Sequence, residues 1–191
     1  MSDYKQEIIV VRFDEEMLRG FTGYDKANPD DYFEKHPRAK HPPFENIWGK
    51  RRFGLLPSWN KFLNVNDRTI QNSMKQHMAD YTTYCIKKQK IKAPFIKECI
   101  VLVVQHKPDR SHSDNDNTQV KSSLDSLVHG EVLQEDNYTV VRYFGSFSVY
   151  DKEDPHTDLI IMPITDEYPF EIVMMEATNY IVELEIKYKI S

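Results

Sequence analysis

The chain has 191 residues, 40% of them hydrophobic, with 25 Lys and Arg against 30 Asp and Glu for a formal net charge of −5. That length fits one domain with additions and a sizeable core. No stretch approaches the roughly 20 apolar residues of a membrane span, Met1-Ser2-Asp3-Tyr4-Lys5 lacks a signal-peptide pattern, and Cys85 and Cys99 have neither metal-site nor disulfide spacing, so the expectation is a soluble cytoplasmic protein with buried thiols.

In chain order, residues 7–13 contain Ile8, Ile9, Val10 and Val11 and read as a first strand. Residues 14–54 are less orderly, with Pro29, Pro37, Pro42 and Pro43 and a basic-aromatic passage running from Lys35 to Arg52. Residues 67–90 predict the longest helix, capped by Asn66 or Asp67, with Ile70, Met74, Met78, Tyr81 and Cys85 as its apolar stripe. Lys87, Lys88, Lys90 and Lys92 crowd its C-terminal end, where cations suit the helix dipole. Pro94 ends the pattern, and residues 99–104 form the continuous apolar run of a buried strand. Residues 118–128 predict a second helix, with Val120, Leu124 and Leu127 on one stripe and Lys121 and Asp125 paired at i, i+4. Residues 138–150 and 158–164 read as two strands joined by a polar turn. Beyond them, Tyr180, Val182, Leu184, Ile186 and Tyr188 alternate with charged residues in the period of a half-buried strand, expected to extend the sheet or cover its edge. The fold class is therefore mixed α/β, a central mixed sheet packed by helices.

The segment following the buried strand carries the chemistry. Pro108-Asp109-Arg110-Ser111-His112-Ser113-Asp114-Asn115-Asp116-Asn117 gathers carboxylates at a turn, with Lys121 and Asp125 on the next helix and Glu135-Asp136 before the next strand. Mg²⁺ takes a few protein oxygens and leaves the rest of its octahedron to water and phosphate. Asp114 and Asp116 supply two, and Asp136 can supply a third if the two strands are neighbours and it returns to the end of the first. A string of Asp and Asn alone is ordinarily a solvated turn; the combination with Lys121 and Asp136 is rarer. Arg110, directly before the acids, is a candidate phosphate contact. His36 and His41 read as loop residues, having no Cys or acidic partner at ligand spacing.

These residues resemble the signature of the RusA family of Holliday junction resolvases. Upstream, Leu56-Pro57-Ser58-Trp59-Asn60-Lys61 is similar to the Pro-Pro-Ser-x-Asn segment with which those proteins contact DNA. The resemblance covers roughly residues 55–164, leaving 14–54 as an insertion or extension and 165–191 as a C-terminal addition to a single domain. It implies an Mg²⁺-dependent endonuclease, Mn²⁺ being possible, acting as a homodimer on four-way junctions in recombination and repair; phage or prophage origin is common in the family. It further implies that Asp114, Asp116 and Asp136 bind metal, that Lys121 assists cleavage, that Asp125 is a further acid, and that Ser58, Asn60, Lys61 and Asn117 touch DNA, to which Arg110 is added for its place beside the acids. One departure stands out. The family has two residues between Asn and Lys, whereas Thr118, Gln119 and Val120 make three here. Within a helix the extra residue turns Lys121 by about 100°; absorbed by the turn, it leaves the lysine in place.

Charge distribution suits a polyanionic partner better than the total does. Residues 1–113 carry 20 basic and 14 acidic side chains, residues 114–191 carry 5 and 16, and residues 35–113 alone carry 16 against 5. Lys and Arg that displace counterions from phosphates supply most of the affinity for DNA, and Trp48, Phe53, Trp59 and Phe62 among them could stack on unpaired bases or fill a core. Two rivals stand beside the resolvase: a RusA-fold protein that binds branched DNA without cutting it, and a structural or assembly protein whose acidic loop is only a turn.

Overall fold

The run from Cys99 to Lys107 forms a strand that is buried along its whole length (β2, Cys99–Lys107), because neighbours flank it on both edges and helices cover both faces. The computed structural model describes residues 8–43, 66–92, 95–108 and 120–189, the side chains of residues 120–122 and 189 excepted. Among the described residues the order is β1 (Ile9–Phe13), α1 (Glu15–Thr22), α2 (Pro29–Lys35), α3 (Arg68–Lys88), β2, α4 (Val120–His129), β3 (Val141–Tyr150), β4 (His156–Pro163) and α5 (Phe170–Lys189). The protein is mixed α/β, its sheet in the order β1-β4-β2-β3. β1 pairs antiparallel with β4, and β4 antiparallel with β2, whereas β2 and β3 are parallel. A parallel pair needs a long crossover, and residues 108–140, including α4, make it.

Strand side chains alternate between faces, and the two halves of the core follow that alternation. On one face Val101 and Val103 of β2, Leu159 and Ile161 of β4 and Val11 and Phe13 of β1 meet Leu18 of α1, Met78, Tyr81 and Cys85 of α3 and Leu127 of α4. On the other, Ile100, Leu102, Val104, Ile160 and Met162 meet Val173 and Ala177 of α5. Each such fully buried aliphatic side chain contributes about 1.5–3 kcal/mol over an exposed one. Both cysteines are free and buried.

The caps are legible. Asp14 accepts from the Met17 amide at the start of α1, and Gly23 ends that helix at φ 69°, a left-handed conformation in which Gly carries no side-chain penalty. Pro29 opens α2. Asp67 accepts from the amides of Thr69 and Ile70 at the start of α3. Residues 14–43, expected to be irregular, therefore hold two short helices.

Three further expectations are corrected. Ile70, placed on the apolar stripe of α3, is half exposed; the stripe runs from Met74 through Met78, Tyr81 and Cys85 to Ile86. β4 begins at His156, inside the expected polar turn. The C-terminal segment is a helix, and it lies on a face of the sheet, neither extending it nor covering its edge. Its apolar residues satisfy two periods at once: Val173, Ala177, Tyr180, Leu184 and Tyr188 fall three or four apart and turn toward the sheet, while Val182 and Ile186 face outward. Twenty residues of helix bury that row, where a strand would bury only every second side chain.

Candidate metal centre

The site residues expected from sequence fall mostly outside the described residues: Ser58, Asn60, Lys61, Arg110, Asp114, Asp116 and Asn117 all do. Lys121 is the second residue of α4, its side chain outside the described set. Asp125 is half-buried in the middle of α4, and Asp136 is exposed in the turns before β3. β2 and β3 are neighbours, but their parallel register sets Val141 beside Cys99 and Tyr150 beside Lys107. The Gln134 amide bonds the Ile96 carbonyl and the Cys99 amide the Val140 carbonyl. Asp136 thus stands where β2 begins, and the chain leaves toward Asp114 where β2 finishes. The expected return of Asp136 to the finishing end of β2 is a feature of antiparallel neighbours, not of this pair.

That finishing end holds a cluster absent from the sequence-based expectations. On the α5 side of the sheet the apolar stripe Ile100, Leu102, Val104 of β2 ends in His106, and the stripe Met162, Ile160 of β4 ends in Asp158 and His156. His106 and His156 are register partners across the antiparallel pair. Their rings stack at 3.7 Å with 14° between planes. Asp151 follows β3 directly, fixed by its amide on the Lys107 carbonyl at 2.8 Å. One ligand atom each from His106, Asp151 and His156 lies within 4.8 Å of the other two, so this group can hold a metal ion.

Hydrogen bonding fixes which atoms are available. His156 Nδ1 lies 2.6 Å from the Asp154 carbonyl oxygen; a carbonyl only accepts, so Nδ1 carries the proton and Nε2 faces inward. Asp158 Oδ2 is 3.4 Å from His156 Nε2 and 4.0 Å from His106 Nε2. Asp151 Oδ1 accepts from the Asp154 amide at 3.0 Å, and Oδ2 stands 3.4 Å from His106 Nδ1. His106 Nδ1 and Asp158 Oδ1 are both buried without a hydrogen-bond partner. Tyr188, near the end of α5, hydrogen-bonds Asp151 and sets its ring edge-on to His106 at 5.1 Å.

Burial and the facing His156 ring push His106 down to about 4 against the pull of Asp158 and Asp151, so it is neutral at pH 7. Burial also opposes charge on His156, but its bonds to Asp158 and the Asp154 carbonyl lift it above its ordinary value. Asp151 is held below the usual carboxylate range: burial opposes this, and the Asp154 amide, Tyr188 and His106 outweigh it. Burial and then the bond to Asp151 push Tyr188 up to about 12, keeping it a donor.

No described helix is long and apolar enough to cross a membrane. Comparison with protein-family models and with curated proteins gave no significant match.

Proposed function

We propose that the chain is an Mg²⁺-dependent endodeoxyribonuclease of RusA type that resolves Holliday junctions or other branched DNA as a homodimer. The observation that carries the reading is one of order. The acidic segment runs between the end of β2 and the start of α4, and Glu135-Asp136 falls between α4 and β3, so strand, acids, helix, acid pair and strand follow one another as the resemblance requires.

In this proposal Asp114 and Asp116 hold Mg²⁺, or Mn²⁺ in its place, with Asp125 a further acid, and Asp136, at the start of β3, joins them only if the segment linking β2 to α4 brings them back to it. The bound cation supplies an activated water and neutralises charge building on the phosphate. Lys121 sets its ammonium against that phosphate. Ser58, Asn60, Lys61, Arg110 and Asn117 hold the DNA backbone, contacts that position without reading sequence. A two-fold dimer offers the matched pair of sites that opposed nicks demand.

The test is cleavage of a labelled four-way junction with and without Mg²⁺, by wild type, Asp116→Asn and Asp136→Asn. Paired nicks by wild type alone, with junction binding retained in both variants, are expected. Binding without cleavage in Mg²⁺ or Mn²⁺ would leave a non-cutting junction binder, and absence of binding would remove the reading. The Asp136→Asn arm separately decides whether an acid at the start of β3 belongs to the same site as Asp116.

A further inference from the structure

We propose that His106, Asp151 and His156, with Asp158 beside them, form a closed site for one Zn²⁺ ion that ties the ends of β2, β3 and β4 together beneath α5. None of its residues is among the carboxylates assigned to Mg²⁺, and the assignment does not rest on the nuclease reading.

Three features carry the assignment. The first is a meeting of acceptors: with one proton committed to the Asp154 carbonyl, His156 turns Nε2 toward Asp158 Oδ2 at 3.4 Å, a pair that needs either a second proton on the ring or a cation between them. Asp158 Oδ1 adds a buried atom without a hydrogen-bond partner in the same cluster, His106 Nδ1 has Asp151 Oδ2 no nearer than 3.4 Å, and His106 and His156 are each only 4% exposed. Buried polar atoms are almost always paired.

The second is the donor set. Two imidazoles and carboxylate oxygens suit a borderline cation such as Zn²⁺, whereas Mg²⁺ prefers oxygen alone. Ligand atoms around tetrahedral Zn²⁺ stand about 3.3 Å apart, given metal–ligand bonds near 2.0 Å; the group, within 4.8 Å, would have to close on the ion, and the stacked His106 and His156 rings would have to turn so that both in-plane lone pairs meet at one point. The third is the surrounding shell. A ligating His characteristically donates its other N–H to a carbonyl or carboxylate, as His156 does to Asp154, and Asp151 is steadied by the Asp154 amide and Tyr188. With Asp158 Oδ2, 3.4 Å from His156 Nε2, as a fourth donor beside the three of the group, the ion would have no open position under the helix, which marks a structural site, not a catalytic one.

The test uses the full chain, stripped with chelator and dialysed, then titrated in parallel with Zn²⁺ and Mg²⁺ by calorimetry and thermal melting. One equivalent of Zn²⁺ is expected to bind, raising the melting temperature by about 5 °C or more at a hundredfold excess over Kd, and Mg²⁺ at the same concentration to leave this transition in place. His156→Gln and the milder Asp151→Asn should each weaken Zn²⁺ binding by at least about tenfold, while His36→Gln with His41→Gln leaves stoichiometry and affinity unchanged. Asp151→Asn keeps an oxygen for the Asp154 amide, so it stays informative should the histidine variant fail to fold. Absence of Zn²⁺ binding, equal response to Mg²⁺, or Zn²⁺ binding insensitive to Asp151→Asn and His156→Gln would each overturn the assignment.

Discussion

Arg12 Nη2 reaches both carboxylate oxygens of Asp154, at 2.7 Å each, and thereby ties β1 to the turn whose Asp154 carbonyl orients His156. Arg12 also donates through Nε to Asp14, the cap of α1, at 3.0 Å. Half-exposed ion pairs of this kind contribute about 0–1 kcal/mol to stability, so the pairing matters more for geometry than for folding. Arg12→Met is expected to lower stability by less than about 1 kcal/mol and Zn²⁺ affinity by up to about tenfold, the lower end of outer-shell effects. Denaturant melts and metal titration of the same preparation check both.

The metal-free protein should lose stability as acid is added, through His106. An unfolded imidazole titrates near 6.5, whereas folded His106 is pushed down to about 4 by burial and by His156. Between those values the unfolded chain binds the extra proton, so falling pH favours unfolding. A shift of that size is worth at most roughly 3 kcal/mol. His156, raised above its ordinary value, works oppositely: its contribution is fully present below the unfolded value and fades as pH rises through the folded one. His106→Asn should therefore show a smaller fall in melting temperature than wild type between about pH 6.5 and 4.5 in chelator.

Both thiols should be silent in the native state. Cys85 and Cys99 have no exposure, and burial pushes Cys99 up to about 12 and Cys85 higher still. The thiolate is the reactive form. Alkylation at pH 8 is expected to proceed only through opening of the core, at matching rates for the two residues, and to complete rapidly in denaturant. Fast labelling of Cys85 alone in native buffer would contradict its place on the buried stripe of α3.

The C-terminal helix can be tested with one chemistry on two faces. Val173 is fully buried against the sheet and Val182 about half exposed on the same helix. Val173→Ala should cost about 2 kcal/mol and Val182→Ala less than about 0.5 kcal/mol, read from denaturant midpoints. Equal costs would place the segment elsewhere.

The elements with a single unambiguous pattern were legible in the sequence. β2 has a run of apolar residues too short and too β-branched for anything but a buried strand, and α3 joins a capping Asp67 to a stripe of Met74, Met78, Tyr81 and Cys85. α5 misled because Tyr180, Leu184 and Tyr188 stand four apart while Val182 and Ile186 between them complete an alternation; only burial distinguishes the two periods. The short α1 and α2 lack the length for a periodicity, although Asp14, Gly23 and Pro29 were punctuation enough to suggest them. The His/Asp cluster has no local spacing. His106 lies 45 residues before Asp151, and they meet through the β2–β3 and β2–β4 registers alone; the one available signal was that His106 and His156-x-Asp158 continue apolar stripes at period two.

Assembly has a built-in checksum in the stacked pair His106 and His156. A slip of one residue between β2 and β4 would turn every β2 side chain to the opposite face, sending His106 toward the α3 side and bringing Gln105 or Lys107 beneath α5. Because apolar residues line both faces of β2, greasiness alone discriminates poorly between the two registers. A polar group that can be satisfied only when three strand ends arrive together penalises the wrong one, so the cluster decides which of two similarly oily arrangements the chain keeps.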